Sequence, residues 1–439
     1  MSRFRPLQVV ILTSLLLSAC GRQAAPRVSE AAPTMPEPPT STPMPPLPTP
    51  PPEKSFETGQ YRDLFQDYLG KSDSEVKGKL DAAWSQLFYG DDDVQRIYYP
   101  VGDDMAYIED IGNSDVRTEG MSYGMMIAVQ LDKKAEFDRL WKWAKTYMYH
   151  PDDPYKGYFA WHCTTDGRML DSNPASDGEE WFVMALFFAS ARWGDGEGIF
   201  NYRAQAQEIL DTMLHTDEQN SDFSTNMFNA GAREVVFVPK IGRDSGFTDP
   251  SYHLPAYYEL WALWANRDNQ FWAAAAQSSR DFFKKAANPQ TGLMPDYANF
   301  DGTPYGTDEH KDFRFDAWRT LSNVAVDYSW FGKDPWEAEQ SDRVLGFLAS
   351  RGLDSYPNQY SLDGKTLAGD RSTGLAAMAG VAALAADPQT GKPFVQALWD
   401  ASIPFGQWRY YDGMLYLLAL LHVSGNFRIF TPGKSSFNR

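Results

Sequence analysis

The 439-residue sequence predicts an all-α protein, an (α/α)6 barrel of six inner and six outer helices. Segments with apolar residues three and four positions apart, such as 137–148, alternate with segments that are apolar on every side, such as 181–193. The first pattern is typical of a helix with one face in solvent, and the second of a buried helix. Few segments alternate with the period of a strand; 234–238 is the best of them and is short. A helical solenoid is the alternative, disfavoured because no two repeats share a sequence pattern.

The first segment, residues 1–20, has the pattern of a bacterial lipoprotein signal peptide. Arg3 and Arg5 precede an apolar stretch, 7–17, that is too short to span a bilayer comfortably. Small residues then lead to Cys20, where such a signal is cut and the cysteine is acylated. We therefore expect an exported protein, anchored to a bacterial membrane only through lipid on Cys20, on the periplasmic or cell-surface side. A plain secretory signal with an incidental cysteine is the alternative.

The second segment, residues 21–53, contains 12 of the 29 prolines in the chain. Such a composition favours an extended polyproline II conformation and cannot build an apolar core. We expect a semi-rigid linker between the anchor and a catalytic domain at 54–439. A proline-rich recognition motif is the weaker interpretation, because nothing that flanks the segment supplies specificity.

Helical patterns continue through the folded domain as pairs of one outer and one inner helix. The pairs differ in sequence and spacing, which predicts a degenerate helix-pair repeat with long loops inserted. If the inner helices run parallel, their N-terminal ends lie on one face of the barrel. The outer helices are predicted to start near residues 75, 134, 203, 271, 338 and 392, and the inner ones near 118, 178, 251, 316, 373 and 411.

Charge and composition narrow the classes of ligand. The net charge of −18 at pH 7 opposes binding to nucleic acid or anionic lipid, and favours a neutral or cationic substrate. Cys20 and Cys163 fall in different segments, so we expect neither a disulfide nor a four-cysteine zinc site. The 6 histidines are dispersed and no HExxH motif occurs, so we expect no catalytic metal.

Acidic residues stand at the predicted N-terminal ends of inner helices. Any one carboxylate there is more often a helix cap or dipole partner than a catalytic group. Several on one face, flanked by aromatic residues, predict an acidic cleft, and Gly120 and Gly178 are expected to leave room there for a ligand. Two carboxyls in such a cleft are the equipment of glycosidic bond hydrolysis, one as acid and one as base or nucleophile. The acidic residues are Glu119, Asp177, Asp249 and Asp316.

One motif favours a serine nucleophile instead. Residues 120–124 match the GxSxG spacing, with Ser122 at the centre. A nucleophile elbow needs a strand before it and a helix after it, and residues 116–119 offer no buried strand. We therefore expect Ser122 not to act as a nucleophile.

Four segments of the chain resemble glycoside hydrolase family 8, and the resemblance extends from about residue 61 to residue 430. It is strongest to the members that act on xylan and xylo-oligosaccharides, which include reducing-end-xylose-releasing exo-oligoxylanases. It implies an (α/α)6 barrel, inversion at the anomeric carbon and no cofactor. The segments are RTEGMSYGMMIAVQ (117–130), PASDGEEWFVMALFFA (174–189), TDPSYHLPAYYELWALW (248–264) and FRFDAWRT (313–320).

The resemblance also implies roles for three carboxyls. Glu119 matches the general acid, Asp316 the general base, and Asp177 the acidic residue that holds the sugar at the cleavage subsite. Because inversion needs a water between the base and the anomeric carbon, we expect the acid and base carboxyls roughly 6.5–9.5 Å apart. Asp312, one helical turn before Asp316, is the rival base.

Further positions match substrate-binding residues of the family. Arg319 matches the arginine that keeps the nearby carboxylates charged and oriented, and Tyr252 is expected to contact the same sugar or the attacking water. Trp161 is expected to stack on a sugar, with a core tryptophan as the alternative.

The segment 370–372 bears on where the enzyme cuts. Exo-acting members that this sequence resembles carry Leu-His-Pro there, which walls off the cleft, whereas this chain has Asp-Arg-Ser. Arg371 is expected to bind a terminal hydroxyl, but its flexible side chain makes a poorer wall. We therefore expect endo action, with reducing-end exo action as the alternative.

The sequence thus predicts a monomeric enzyme that hydrolyses β-1,4-xylosidic bonds in xylan or xylo-oligosaccharides with inversion. A relative that cleaves β-glucan or chitosan stays open, since the acidic charge would attract a cationic polymer. A non-catalytic glycan-binding lipoprotein is the alternative from another class. The presence of both Glu119 and Asp316 argues against it, because a binding protein needs no acid–base pair.

Overall fold

The computed structural model describes residues 54–219, 221–307 and 309–432. The predicted signal peptide with Cys20 and the predicted linker lie outside these residues. Among the helices described, none is both long enough and apolar enough to cross a membrane. In chain order the helices are α1 (Ser55–Thr58), α2 (Leu64–Leu69), α3 (Asp73–Tyr89), α4 (Thr118–Gln130), α5 (Lys134–Tyr147), α6 (Ser176–Trp193), α7 (Tyr202–His215), α8 (Pro255–Trp264), α9 (Asn269–Ala286), α10 (Arg319–Trp330), α11 (Trp336–Ser350), α12 (Thr373–Ala382), α13 (Pro388–Asp400) and α14 (Arg409–Val423).

From α3 onward, outer and inner helices alternate, and the even-numbered helices are the inner ones. The inner helices form a ring in which α4 packs against α6, α8 against α10, α10 against α12, α12 against α14, and α14 against α4. Helices α6 and α8 meet through aromatic rings such as Phe187 and Trp264, whose centroids are 5.8 Å apart. This closed ring confirms the (α/α)6 barrel and excludes an open solenoid.

Burial explains why the two kinds of helix have different sequence patterns. The inner helix α6 is buried at every position from Ser176 to Ala189. The outer helix α5 buries one stripe of residues, including Phe137, Leu140 and Trp141, and exposes charged residues on its other face. The spacing of apolar residues in each segment thus indicates whether its helix lies in the inner or the outer layer of the barrel.

Two inner helices start later than expected. The predicted starts near residues 251 and 316 fall on short 3₁₀ turns, Pro250–Tyr252 and Phe315–Trp318, and α8 and α10 begin only after them. Pro255 fixes the start of α8, because proline fits the first helical position. The acidic positions Asp249 and Asp316 therefore lie on tight turns rather than in regular helix.

The described strands are short and pair antiparallel in three small sheets. Strand β7 covers only two residues of the expected strand 234–238. Strand β3 precedes α4 directly and its Val116 is buried, so the expectation that no buried strand stands before residues 120–124 was wrong. Ser122 nevertheless lies inside α4, fully buried, and its hydroxyl donates to the Glu119 carbonyl oxygen at 3.0 Å, so it is not presented at an elbow. The strands are β1 (Tyr98–Val101), β2 (Met105–Ile108), β3 (Val116–Arg117), β4 (His162–Cys163), β5 (Met169–Asp171), β6 (Phe228–Asn229) and β7 (Glu234–Val235).

Candidate active site

A cleft of about 780 Å³ opens at the N-terminal ends of the inner helices. Each inner helix contributes a residue from its first turn or from the segment just before it. The sequence-predicted acidic positions therefore come together on one face of the barrel. In helix order the contributors are Glu119, Asp177, Tyr252, Asp316, Ser372 and Tyr410.

Arg319, the first residue of α10, contacts three of the carboxylates that line this cleft. Its Nη1 donates to Glu119 Oε2 at 3.1 Å, to Asp177 Oδ2 at 2.9 Å and to Tyr123 Oη at 2.7 Å. Its Nη2 lies 3.0 Å from Asp316 Oδ1 as an ion pair. Since the guanidinium is planar and always charged, it holds the three carboxyls in fixed positions and offsets part of their mutual repulsion.

Glu119 has the environment of a proton donor. Burial, the strongest influence, and the nearby charges of Asp316 and Asp177 raise the pKa of its carboxyl to about 7, against the opposing effect of Arg319. Its Oε1 accepts a hydrogen bond from Tyr410 Oη at 2.9 Å. Glu119 can therefore hold a proton up to near-neutral pH, as a general acid must.

The two glycines beside the acidic residues make room for the protein and not for a ligand, so that expectation was wrong. A Cβ at Gly120 would lie 2.5 Å from Cε2 of Tyr410, and one at Gly178 would lie 2.4 Å from Cβ of Thr118. Gly120 thus lets the Tyr410 ring lie against α4 and reach Glu119. Gly178 lets α6 approach the start of α4.

Asp316 and its rival Asp312 lie in different surroundings. The Asp316 side chain is 31% exposed and lines the cleft. Asp312 is more buried, lies 3.5 Å from Arg314 Nη2, and is not among the described residues that line the cleft. The geometry therefore favours Asp316 as the carboxylate that meets water and substrate.

Asp177 and Tyr252 lie in the deeper part of the site. Asp177 is buried, and its Oδ1 accepts from the Gly178 backbone amide at 2.9 Å while its Oδ2 accepts from Arg319. Burial raises the pKa of Asp177 above its ordinary value. The ring of Tyr252 is 5.6 Å from the Arg319 guanidinium carbon. Both residues line the cleft, as expected for groups that contact a bound sugar.

Trp161 and Arg371 also line the cleft. Trp161 is partly exposed and stacks on His162, with 4.5 Å between ring centroids, so it is not a core tryptophan. Arg371 is exposed and lines a second cavity as well, of about 720 Å³, on the side of α12 and α13.

Several residues of the site were not predicted. Tyr410 and Tyr411 begin the sixth inner helix, so the rule that located Glu119 would have found them too. Asp249 stood in the right segment but received no role. Asp296 lies in the loop after α9, where no periodic pattern marks it. Carboxylate oxygens of Asp249, Asp296 and Asp316 lie within 4.8 Å of one another.

The family model of the glycosyl hydrolases family 8 matches residues 106–425, most of the described chain. The chain belongs to glycoside hydrolase family 8. The expected family and enzyme class are thereby confirmed, and the carboxyl-lined cleft is the candidate active site of a glycoside hydrolase.

Three family 8 relatives are highly similar to this hydrolase. The reducing-end xylose-releasing exo-oligoxylanase Rex8A of Paenibacillus barcinonensis is 48% identical, over 86% of this chain and 98% of the relative. A reducing end xylose-releasing exo-oligoxylanase of Halalkalibacterium halodurans is 44% identical, over 87% of this chain and 97% of the relative. A family 8 xylanase of Teredinibacter turnerae, solved as a catalytic mutant with xylohexaose, superposes with a TM-score of 0.82 at 48% identity, over 86% of this chain and 100% of that one.

Proposed function

We propose that this family 8 hydrolase cleaves β-1,4-xylosidic bonds in xylo-oligosaccharides and releases xylose from the reducing end. The observation that carries the proposal is the 48% and 44% identity to two exo-oligoxylanases over nearly their whole length. This similarity supports the exo alternative better than the endo action that the sequence suggested. The xylanase with bound xylohexaose supports the same class of substrate.

Glu119 is proposed as the general acid and Asp316 as the general base. The Glu119 carboxyl gives its proton to the glycosidic oxygen as the bond from that oxygen to the anomeric carbon breaks. Asp316 takes a proton from a water that attacks the same carbon from the opposite face, so the product has the inverted configuration. The raised pKa of Glu119 and the contact of Asp316 with both Arg319 and solvent support this division of roles.

The remaining predicted residues are proposed to hold the substrate. Asp177 accepts a hydrogen bond from the sugar at the cleavage subsite, and Tyr252 contacts that sugar or the attacking water. Trp161 supplies an aromatic face for another sugar ring. Arg319 keeps the carboxyls in place, which its contacts with Glu119, Asp177 and Asp316 support.

Endo action is the second candidate, and one observation favours it. Four residues line both the catalytic cleft and the second cavity, so the two spaces adjoin at a shared rim. Trp408 on this rim is 69% exposed, and a sugar chain that stacked on it could continue past the flexible Arg371. The four residues are Arg371, Ser372, Trp408 and Asp412.

Digestion of xylohexaose and of its reduced alditol tests the proposal. Reducing-end exo action releases single xylose units from xylohexaose and leaves the alditol intact, because the terminal hydroxyl that it reads is gone. Internal cleavage of the alditol to xylobiose and xylotriose species would establish endo action instead. Arg371→Ala is the informative variant: if Arg371 binds the reducing end, xylose release slows and internal products rise. Lichenan, carboxymethylcellulose and chitosan serve as controls, and faster hydrolysis of any of them than of xylohexaose would refute specificity for xylosidic bonds.

The N-terminal segment is proposed to place the enzyme outside the cytoplasm. The arginines before an apolar stretch and the small residues before Cys20 support a lipoprotein signal over residues 1–20. The proline-rich residues 21–53 then act as a linker to the catalytic domain at 54–439. Apart from this lipid anchor, the proposed enzyme is a monomer with a glycan substrate as its partner.

A further inference from the structure

Asp249 is completely buried, and one of its carboxyl oxygens, Oδ2, has no hydrogen-bond partner among the residues that the structure describes. It stands just before the 3₁₀ turn Pro250–Tyr252, and its Oδ1 accepts from the Ser251 backbone amide at 2.7 Å. That contact caps the turn which presents Tyr252 to the cleft. The other oxygen, Oδ2, does not take part in this contact. Burial of a carboxylate oxygen without a hydrogen-bond donor destabilises the fold.

Asp249 belongs to a cluster of three carboxyls. Oxygens of Asp249, Asp296 and Asp316 lie within 4.8 Å of one another. Both Asp296 oxygens already have partners, since Oδ2 lies 2.6 Å from His310 Nδ1 and Oδ1 accepts from the Ala317 amide at 3.2 Å. Asp316 has the guanidinium of Arg319 beside it.

Three carboxyls this close, two of them buried, do not all stay ionised. A proton or a cation must offset part of their charge. Asp296 and Asp316 each have a donor or a positive charge that stabilises the ionised form, whereas Asp249 Oδ2 has none. Asp249 is therefore the member of the cluster that is best suited to hold a proton.

We propose that Asp249 carries a proton on Oδ2 and uses it to donate a hydrogen bond to the Asp316 carboxylate. Asp249 thereby acts as a positioning residue for the general base. The inference rests on the proposed role of Asp316. A neutral Asp249 adds a hydrogen-bond donor without adding charge, and this donor aims the Asp316 carboxylate at the attacking water. Such hydrogen bonds are often long in a free enzyme and tighten when substrate binds.

The charged and titratable groups around Asp249 agree with this assignment. Burial is the main cause that raises the pKa of Asp249 well above its ordinary value, and the charges of Asp316 and Asp296 act in the same direction. Arg319 opposes them. The phenol of Tyr252 also faces Asp249, and burial keeps it neutral by raising its pKa.

Two substitutions separate the proposed donor from the cap. In Asp249→Asn the amide oxygen can cap the turn and the amide NH₂ can donate as the protonated carboxyl does. In Asp249→Ser the hydroxyl can cap the turn but is too short to reach Asp316. We expect the Asn variant to keep kcat/KM near the wild-type value. The Ser variant should lose at least about tenfold, the size expected when a charged group loses one hydrogen bond.

The pH profile and a substrate-free measurement complete the test. Without the donor, ionised Asp316 is less stabilised, so the acidic limb of kcat/KM in the Ser variant should move to higher pH. The infrared difference spectrum, wild type minus Asp249→Asn at pH 7, should show the C=O stretching band of a protonated carboxylic acid. Because this band needs no substrate, it judges the protonation of Asp249 even if xylo-oligosaccharides prove not to be the substrate. Thermal unfolding of all three proteins checks that the variants fold.

Four results would overturn the proposal. The first is absence of the infrared band, and the second is a loss in the Asn variant as large as in the Ser variant, which an ionised Asp249 would give. The third is activity that falls after dialysis against EDTA and returns with Ca²⁺, which would assign a cation to the cluster in place of the proton. Equal activity in all three proteins would reduce Asp249 to a cap and would count against the proposal as well.

Discussion

Replacing Glu119 by Gln should make the enzyme both slower and more stable. The folded protein holds the Glu119 pKa at about 7, against an ordinary value of 4.5. At about 1.4 kcal/mol per pKa unit, ionised Glu119 destabilises the fold by about 3 kcal/mol. Because the folded-state pKa is raised, this penalty is absent below pH 4.5, grows as the pH rises towards 7, and is complete above it. Glu119→Gln removes the penalty, so its gain in stability should reach about 3 kcal/mol at pH 8 and vanish at pH 4.

Urea unfolding at pH 4 and pH 8 measures the stability change, and kinetics on two substrates measure the chemistry. Loss of the proton donor should lower kcat/KM on xylotetraose by about 10²–10⁴-fold. A β-xylobiosyl fluoride should be hydrolysed nearly as before, because fluoride leaves with little need of protonation. In the wild type, activity on xylotetraose should fall as the pH rises through about 7, where Glu119 loses its proton.

Glu57→Gln, at an exposed position on α1, is the matched control and should change neither stability nor rate. Two outcomes would refute the reasoning about Glu119. A stability gain that is equal at pH 4 and pH 8 would mean that the carboxyl does not titrate as its burial implies. An equal loss on the oligosaccharide and on the fluoride would mean that Glu119 does more than protonate the leaving group.

The remaining predictions concern the base and the anchor. Asp316→Asn should lose activity on both xylotetraose and the fluoride, and azide should not restore a product of retained configuration. Asp312→Asn should stay near wild type, and the reverse order would make Asp312 the base. NMR should detect the α-anomer as the first product of the wild type, and a first-formed β-anomer would exclude Asp316 as the base of an inverting reaction. Cys20→Ser should release the full chain from the membrane fraction with unchanged specific activity, and a variant that stays on the membrane would refute the lipid anchor.

The barrel was predictable because the spacing of apolar residues along each segment shows whether a helix belongs to the inner or the outer layer. The segment 181–189, apolar on every side, is buried throughout, whereas 137–148 buries one stripe of residues against the core. The starts of α8 and α10 were less predictable, because 3₁₀ turns follow from tertiary packing rather than from period. For α8 the sequence does contain a local signal of the later start, because Pro255 fits the first position of a helix.

From the helix pattern alone, the candidate site was predictable only near the starts of inner helices; Trp161 was predicted from the family resemblance instead. Glu119, Asp177 and Asp316 all satisfy that condition, and the structure brings them to one guanidinium. Asp296 does not, since it reaches the cluster from a long loop whose path no sequence pattern fixes. Gly120 was noticed in the sequence, but its role was predicted wrongly. The space that it leaves is filled by the ring of Tyr410, which is far away in the sequence, and not by a ligand.

The contrast between Glu119 and Asp316 explains how similar carboxyls can take opposite roles around one arginine. Glu119 is the less exposed of the two, at 16% against 31%, and its second oxygen accepts from the neutral phenol of Tyr410. Because burial penalises its charged form, Glu119 keeps a proton to give. Asp316 keeps Arg319 on one side and solvent on the other, and both stabilise a carboxylate. The proposed acid and base thus differ in environment rather than in residue type, and Gly120 contributes by leaving space for the tyrosine that shields Glu119.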